Sequence, residues 1–360
     1  MKISERLPVW AKAIPVLAWL TLGIASVSDS QWLALLLVPA LFAGVTCAVY
    51  HAEVVAHKIG EPFGTLLLAV AVTLIEVALI VSLMIAGGES ASGLARDTVF
   101  AAIMVILSGI IGACLLLGGL RHREQSFGLH GASTSLATLA ALAILTLVLP
   151  NFTSTVPGPF YSKSQLAFIA LVSLVLYGTF VLVQTVRHRD YFLPANAAAD
   201  EAVHAPRPSA SMAWTSLALL IASLVAVVLL AKSLAPGLEK AVAALGAPKQ
   251  LVGIVIAIIV LLPEGLAALS AARANRLQTS INLALGSALA SIGLTIPVVA
   301  VISLWTGWPL SLGIDAKSTV LLLLSLLITS LSLSTGRTTI MQGTIHLVIF
   351  AVYLLTTIVP

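Results

Sequence analysis

The chain has 360 residues, of which 59% are hydrophobic and 9% charged, and its mean hydropathy is +1.11. Ordinary globular domains are about 25% charged, so this composition excludes a pair of soluble domains and places most of the chain in membrane lipid. The net charge of +4 does not indicate a nucleic-acid partner, because the basic residues flank apolar segments, as they do in membrane proteins.

Eleven apolar segments are candidate transmembrane helices. The first follows several basic residues, but ten more segments come after it, so we interpret it as a retained span rather than a signal peptide. Cys47 and Cys114 lie inside apolar segments, which favours packing roles and gives no support for a disulfide. The segments cover 8–26, 31–50, 63–86, 98–120, 134–150, 165–186, 213–232, 250–272, 279–304, 318–334 and 340–359.

The segment pattern predicts an internal repeat. Apart from the first, the apolar segments divide five and five around a polar stretch rich in Pro and Ala, and the starts of corresponding segments differ by 175 to 187 residues. An odd number of spans per repeat inverts the second copy, as in many secondary transporters. The sequence therefore predicts an all-α polytopic membrane protein with about eleven helices. Its parts are a peripheral helix (1–30), a five-helix repeat (31–186), a cytoplasmic linker (187–212) and an inverted repeat (213–360).

Basic residues between the segments predict the orientation. With the N-terminus inside, twelve of the 18 Lys and Arg residues fall in inner segments and six in outer ones. This bias favours an inner N-terminus and an outer C-terminus. Three of the outer lysines belong to an expected loop at 232–250, which weakens the bias.

Two carboxylates lie at matching depth in two apolar segments. Glu76 is the fourteenth residue of 63–86, and Glu264 is the fourteenth of 251–272. An ionised carboxylate near the bilayer centre costs at least about 2.5 kcal/mol unless it faces protein, water or a cation. Two carboxylates can share a hard cation, and their repulsion raises their proton affinity once it leaves. The pair predicts a site where cation and proton compete; structural hydrogen bonding by a protonated Glu is the alternative.

The segments after the two glutamate helices carry hydroxyl groups. In 279–304 the polar residues step mostly by four, which places them on one helix face, although such a stripe can equally join helices together. In 98–120, Gly109 and Gly112 are predicted close-packing positions, and aligning 103–108 with 286–291 pairs the two central serines. The secondary ligand candidates are Thr73, Ser108, Asn282, Ser287 and Ser291.

A polar stretch after the second segment is expected to form an inner loop. Its mixed charge is typical of a solvated channel mouth, and the alternative is a relay or cation funnel that leads to Glu76. The stretch does not match the HExxH metal motif. Its titratable residues are His51, Glu53, His57 and Glu61.

The remaining charged residues give weaker signals. Arg96 and Asp97 predict a local ion pair at the membrane interface. His346, inside the last segment, is expected to be a core imidazole with a satisfied hydrogen bond rather than a proton carrier. No phosphate-binding loop, dinucleotide fingerprint or paired nucleophile and base is present, so we expect neither an enzyme nor a bound cofactor.

Three phrases resemble the calcium/cation antiporter superfamily, and most closely its bacterial branch of calcium/proton antiporters that also handle sodium or potassium. The phrases are AEVVAHKIGEPFGTLLLAVAVTLIEVALIVSLM, RDTVFAAIMVILSGIIGACLLLGG and LLPEGLAALSAARANRLQTSINLALGSALASIGLTIP. The resemblance implies that Glu76 and Glu264 are the central acidic residues, one per repeat. Ser108 and Ser291 stand where the family pattern has Asn, and of the residues just before the glutamates only Thr73 offers a hydroxyl.

The resemblance implies a secondary transporter of a bacterial inner membrane. It would export Ca²⁺, and also Na⁺ or K⁺, in exchange for protons by alternating access at a site near the bilayer midplane. A sodium/calcium exchanger and a passive cation channel are the alternatives. The sequence does not indicate an oligomeric state.

Overall fold

The structure is a computed structural model that describes residues 7–27, 33–60, 63–193, 208–244, 246, 248 and 250–359. Across these ranges the chain forms eleven helices and one short antiparallel ribbon. The helices are α1 (Val9–Val27), α2 (Leu33–Ile59), α3 (Phe63–Gly87), α4 (Leu94–His122), α5 (Leu129–Phe152), α6 (Lys163–Arg187), α7 (Ala210–Ala244), α8 (Gln250–Arg273), α9 (Leu277–Thr306), α10 (Ala316–Leu333) and α11 (Ile340–Ile358). The strands are β1 (Gln125–Ser126) and β2 (Arg337–Thr338).

Three of the described helices contain a wider π-helical turn, in which backbone N–H groups bond to carbonyls five residues back instead of four. The π turn of α4 covers Val105–Ile110, that of α5 covers Ile144–Val148, and that of α6 covers Val183–Arg187. The α4 turn falls in the middle of a membrane-length helix, whereas the α5 and α6 turns come near helix ends.

The chain divides into two compact units. The first takes Met1–Ala86 and Ala198–Gly246, and the second takes Gly87–Ala197 and Ala247–Pro360. Each unit thus draws helices from both predicted five-helix repeats, and the division into inverted repeats stays a prediction. Of the predicted linker, residues 194–207 lie outside the described residues.

The first unit packs α1, α2 and α7 together. The rings of Trp10 and Tyr50 lie 4.8 Å apart, and Nε1 of Trp19 donates to the carbonyl of Ala222 over 3.2 Å. A small buried cluster joins the three helices; its members are Ala11, Tyr50, Val54 and Met212.

The second unit is built around α4 and α9, whose membrane-length windows are 78% and 67% buried, more than those of the other described helices. The ribbon pairs Gln125 with Thr338 and Ser126 with Arg337, so it ties the loop after α4 to the loop after α10. Asp315 caps α10 by accepting from the backbone N–H of Ser318 over 2.8 Å.

Nine of the described helices are long and apolar enough to cross a membrane, and α1 and α3 contribute shorter apolar stretches. Their outer faces expose large apolar side chains, as at Leu171, Val175 and Leu355, which is what a lipid-facing surface requires. The chain is therefore an integral membrane protein, and the prediction of an all-α polytopic fold is confirmed.

Two predicted loops are wrong. The polar stretch that begins at His51 is the last part of α2, which continues to Ile59 and ends before Gly60 (φ 82°). Likewise α7 runs past Lys232 and Lys240 to Ala244. In α2 the intervening apolar residues are buried, and the α7 extension buries Leu234 and Val242 even though it contains Pro236.

Candidate functional site

Glu76 and Thr73 lie on a helix, α3, as the sequence predicted. This helix belongs to the first unit. Glu76 is 4% exposed and Thr73 is 3% exposed. Residues three apart share a helix face, so the hydroxyl and the carboxylate lie one turn apart on the same side of α3.

Glu264 lies on α8 in the second unit, and both of its carboxylate oxygens are shielded from solvent. Pro263 precedes it inside the helix. Because proline has no N–H, it cannot donate to the carbonyl of Ile259. A backbone oxygen is thereby released one turn before the carboxylate.

Helices α4 and α8 run parallel through the second unit and touch at two levels. A Cβ built at Gly253 would lie 3.4 Å from the backbone of Asp97, and one built at Gly265 would lie 3.2 Å from the side chain of Ile110. The second contact joins the residue after Glu264 to the last residue of the α4 π turn. Glu264 and Ser108 therefore lie at about the same height along the helix axes, although Ser108 is two residues from Ile110 and points to a different side of α4.

Ser108 is fully buried in that π turn, and its Oγ lies 3.0 Å from Oγ of Ser325 on α10. Ser325 in turn donates to the sulfur of Met104 over 3.5 Å. Because the single hydroxyl hydrogen of Ser325 is donated to the sulfur of Met104, the oxygen of Ser325 accepts the hydroxyl hydrogen of Ser108. This arrangement leaves the lone pairs of Ser108 available to a cation.

The predicted stripe on α9 separates into two parts. Asn282 donates to the carbonyl of Phe192 and accepts from Gln278 over 3.0 Å, so its amide holds the segment after α6. Ser287 and Ser291 lie one turn apart further along the helix, and Ser291 is 1% exposed. Ser291 follows Asn282 by nine residues, about 13 Å of helix, so the structure does not bring these two candidates together.

The polar residues at the end of α2 have structural contacts. His51 is fully buried, and its Nε2 donates to the carbonyl of Ala11 over 2.8 Å. Lys58 donates to the carbonyl of Pro208 over 2.9 Å. Glu61 lies outside the described residues.

The predicted ion pair of Arg96 with Asp97 and the predicted hydrogen-bonded core position of His346 are confirmed. Nε of Arg96 lies 2.7 Å from Oδ1 of Asp97, beside a cavity of about 420 Å³ at the start of α4. His346 is fully buried, with Nδ1 2.7 Å from the carbonyl of Leu107 and Nε2 3.2 Å from Oγ of Ser332.

Sequence reasoning missed Ser325 and Ser332, both on α10. The available signal was their spacing: Ser318, Ser325 and Ser332 recur every seven residues, which places them on one helix face. All three are buried. In a short apolar helix of ordinary hydropathy, such serines resemble common helix-packing residues.

The comparisons with known proteins agree with this architecture. The model of a protein family described as sodium/calcium exchanger protein matches residues 30–186 and 215–359. The chain is 50% identical over 361 residues to the protein y4hA of Sinorhizobium fredii, which is provisionally named an ionic transporter. The alignment covers 99% of this chain and 98% of y4hA. The chain is 40% identical over 311 residues to the sodium-potassium/proton antiporter ChaA of Escherichia coli, covering 86% and 84% of the two chains.

Among solved structures, the crystal structure of the H⁺/Ca²⁺ exchanger CAX aligns with 96% of this chain and 87% of its own, with a TM-score of 0.71. The sequence identity is 17%, so this likeness concerns the fold alone.

The fold and the buried carboxylates define a polytopic membrane transport protein of the all-α class. The family match covers most of the chain and falls on two stretches separated by the predicted linker. The chain belongs to the sodium/calcium exchanger protein family, and it is a transporter rather than an enzyme.

Proposed function

We propose that this protein is a cation/proton antiporter that exports Ca²⁺, with Na⁺ and K⁺ as further substrates, by alternating access. The observation that carries the proposal is the pair of glutamates at matching depth in two apolar helices, with Oε1 of Glu76 and both carboxylate oxygens of Glu264 shielded from solvent. The relative named sodium-potassium/proton antiporter supports the same kind of reaction.

Glu76 and Glu264 carry the cation and the proton in turn. A bound cation compensates the carboxylate charges, and without it the carboxylates are more stable when protonated, because burial disfavours their negative charges. A protonated carboxylate binds a cation only weakly, so the cation and the proton exclude each other. Release of the cation and uptake of the proton are therefore coupled. That competition couples the two movements, and the gradients of the ions drive the exchange.

Hydroxyl and carbonyl oxygens complete the site. Ser108 lies level with Glu264, Thr73 lies one turn from Glu76, and Ser287 and Ser291 follow on α9. The carbonyl of Ile259, released by Pro263, is a further oxygen beside Glu264. Oxygen ligands of this kind suit hard cations, and Ca²⁺ takes six to eight of them, whereas monovalent ions tolerate fewer. Asn282 is the weakest candidate, because its amide already bonds Gln278 and Phe192.

We assign the protein to a bacterial inner membrane, with the N-terminus inside and the C-terminus outside. The twelve-to-six distribution of Lys and Arg supports this orientation. Two inverted five-helix repeats, each with one glutamate, would present the same site to both faces in turn. The two separate stretches matched by the family model support such repeats.

The test uses inside-out vesicles that hold a proton gradient reported by a quenched dye. Ca²⁺, Na⁺ and K⁺ are added in turn to vesicles with the wild type, Glu76→Gln or Glu264→Gln. Cation-triggered dequenching is expected for the wild type. Each Gln variant should lose it by about tenfold or more, because an amide neither ionises nor binds cations as strongly. Glu124→Gln is the matched control, since that carboxylate is exposed in an ion pair with Arg337.

The same assay separates the alternatives. A sodium/calcium exchanger would take up Ca²⁺ against a Na⁺ gradient without moving protons. A channel would conduct cations without a fixed ratio of protons. Dequenching that survives in both Gln variants would place the exchange site elsewhere, and no dequenching with any cation would refute antiport.

A further inference from the structure

His346 reaches from α11 into the backbone of α4. Its side chain is fully buried, and Nδ1 lies 2.7 Å from the carbonyl oxygen of Leu107. A carbonyl can only accept, so Nδ1 carries the proton. In the neutral ring Nε2 then accepts from the hydroxyl of Ser332, which lies 3.2 Å away.

The π turn of α4 makes the Leu107 carbonyl available. In a regular α-helix the N–H of Ile111 would bond this oxygen, but here it donates to the carbonyl of Ile106. The imidazole of His346 therefore satisfies an oxygen that the helix itself would otherwise use. Removal of the imidazole would therefore remove one hydrogen bond that stabilises the π-helical geometry of this turn.

Two glycines let the helices approach closely enough for this contact. A Cβ at Gly112 would lie 2.8 Å from Cβ of His346 and 3.1 Å from the backbone nitrogen of Leu347. A Cβ at Gly343 would overlap the backbone of Leu116. Side chains at either position would force α4 and α11 apart.

Ser108 directly follows Leu107 in the π turn and lies at about the height of Glu264 along the helix axis. Helix α10 contributes to both ends of this arrangement. Its Ser325 bonds Ser108, and its Ser332 bonds His346. Two separate sets of buried hydrogen bonds, one from α10 and one from α11, thus hold the turn.

We propose that His346 is a positioning residue for cation binding: it holds the α4 π turn that carries Ser108, one of the candidate ligands. The proposal deepens the proposed function and rests on it for its effect on transport. The hydrogen-bonding role itself belongs to the fold and can be measured without transport.

The geometry favours positioning over proton carriage. Both ring nitrogens are committed to partners, one of them to a backbone carbonyl, and the residue has no exposed surface. A proton carrier must exchange its proton with two sides of the membrane in turn. His346 instead has the fixed tautomer that a structural contact needs.

The transport test compares His346→Leu with His346→Asn in proteoliposomes, over a range of cation concentrations and pH. Leu removes the donor, whereas the Asn amide can donate from near the position of Nδ1. We expect His346→Leu to raise the cation concentration for half-maximal transport about tenfold while the maximal rate changes less. His346→Asn should restore most of the affinity with an unchanged pH profile. His130→Leu, at an exposed imidazole on α5, is the control and should resemble the wild type.

A second measurement does not depend on transport. Hydrogen–deuterium exchange of the full chain in detergent should show faster exchange across residues 105–112 in His346→Leu, and in Ser332→Ala to a smaller extent. His346→Asn should restore protection. Gly112→Ala, which leaves the imidazole intact but separates the helices, should reproduce the His346→Leu pattern.

The outcomes are distinguishable. Unchanged exchange and unchanged cation affinity in His346→Leu would overturn the proposal. Loss of proton coupling in both His346 variants would overturn it in favour of a proton carrier. If the wild type shows no antiport but the exchange pattern holds, the proposed function fails while the role of His346 in fixing the turn stands.

Discussion

A buried hydroxyl can bind a cation only when its hydrogen points away from the ion. Ser325 supplies that direction for Ser108, because its own hydrogen is directed to Met104 and its oxygen is left to accept. Ser325 is thus a residue that orients a candidate ligand without being one. Its contribution is separable from that of Ser108.

Replacement of Ser325 by Ala should weaken cation binding less than replacement of Ser108. Ser108→Ala removes an oxygen, whereas Ser325→Ala only frees the hydrogen of Ser108 to rotate. We expect about a threefold rise in the half-maximal cation concentration for Ser325→Ala and about tenfold for Ser108→Ala. Concentration series in the vesicle assay measure both, with Ser330→Ala on the same helix as the control. An equal effect of the two variants would contradict the division of roles.

At this scale the sequence predicted residues whose chemistry conflicts with lipid. Glu76 and Glu264 stood out because few residues in an apolar helix are charged, and His346 stood out for the same reason. Ser325 did not, because serines are common in membrane helices and the role of this one depends on its hydrogen-bond partner. That partner lies 217 residues away, and no local pattern connects the two.

Released backbone carbonyls are a recurring feature at the level of helices. Pro15 in α1 has no N–H for the carbonyl of Ala11, and this oxygen accepts from His51 over 2.8 Å and from Cys47 over 3.3 Å. In the α5 π turn, the carbonyl of Leu145 accepts from the hydroxyl of Tyr161 over 2.6 Å. Lipid offers no water to such oxygens, so side chains from other helices and loops satisfy them.

Tyr161 shows that such a bond can be insensitive to pH. Burial raises the pKa of this phenol to about 12, above its ordinary value near 10. The protonated form is therefore favoured by folding, and its contribution to stability is complete below pH 10. It is lost only as the pH rises towards 12, so the hydroxyl donates to Leu145 throughout the physiological range.

A double-mutant cycle tests whether the His51 imidazole replaces the backbone N–H that Pro15 lacks as the hydrogen-bond donor to the carbonyl of Ala11. His51→Leu should destabilise the protein by about 1 kcal/mol, since it removes one donor from a buried carbonyl. In a Pro15→Ala background the restored N–H can satisfy that oxygen, and we expect the cost of His51→Leu to fall by roughly half. Apparent melting temperatures of the purified variants in detergent provide the four values. An equal cost in both backgrounds would show that Pro15 and His51 act independently.

The number of helices could be predicted from hydropathy alone, but their ends could not. Helix α2 continues through His51 and Glu53 because the residues between the polar ones pack on α1 and α7, where Val54 joins Ala11 and Met212. A hydropathy window averages those buried residues with their charged neighbours. The π turns were also beyond prediction, because they depend on tertiary partners such as His346.

At the scale of the whole molecule, the charge distribution predicts which loops face the outside. In a background of Cys47→Ala and Cys114→Ala, Ser154→Cys after α5 should react with a membrane-impermeant maleimide in intact cells. Glu124→Cys after α4 should react only after the cells are opened. Both positions are exposed in the structure, so accessibility and not burial decides the result. The reverse pattern would contradict an inner N-terminus.

The two compact units and the two predicted repeats divide the chain differently. The sequence indicated five-helix repeats because similar segments recur along the chain, whereas compactness depends on which helices pack together. Helices α2 and α3 directly precede α4 to α6 in the sequence. They nevertheless belong to the first unit, with α7, whereas α4 to α6 belong to the second. Sequence order therefore predicted which segments correspond, but not which of them associate.

The glycine contacts between α4 and α11 restrict how this transporter can move. Sliding one helix along the other would bring side chains to Gly112 or Gly343, where the structure has room for hydrogen only. During alternating access these helices must therefore travel as one rigid body, and a sliding boundary has to lie along other helix pairs. Crosslinks between α4 and α11 should then be compatible with turnover.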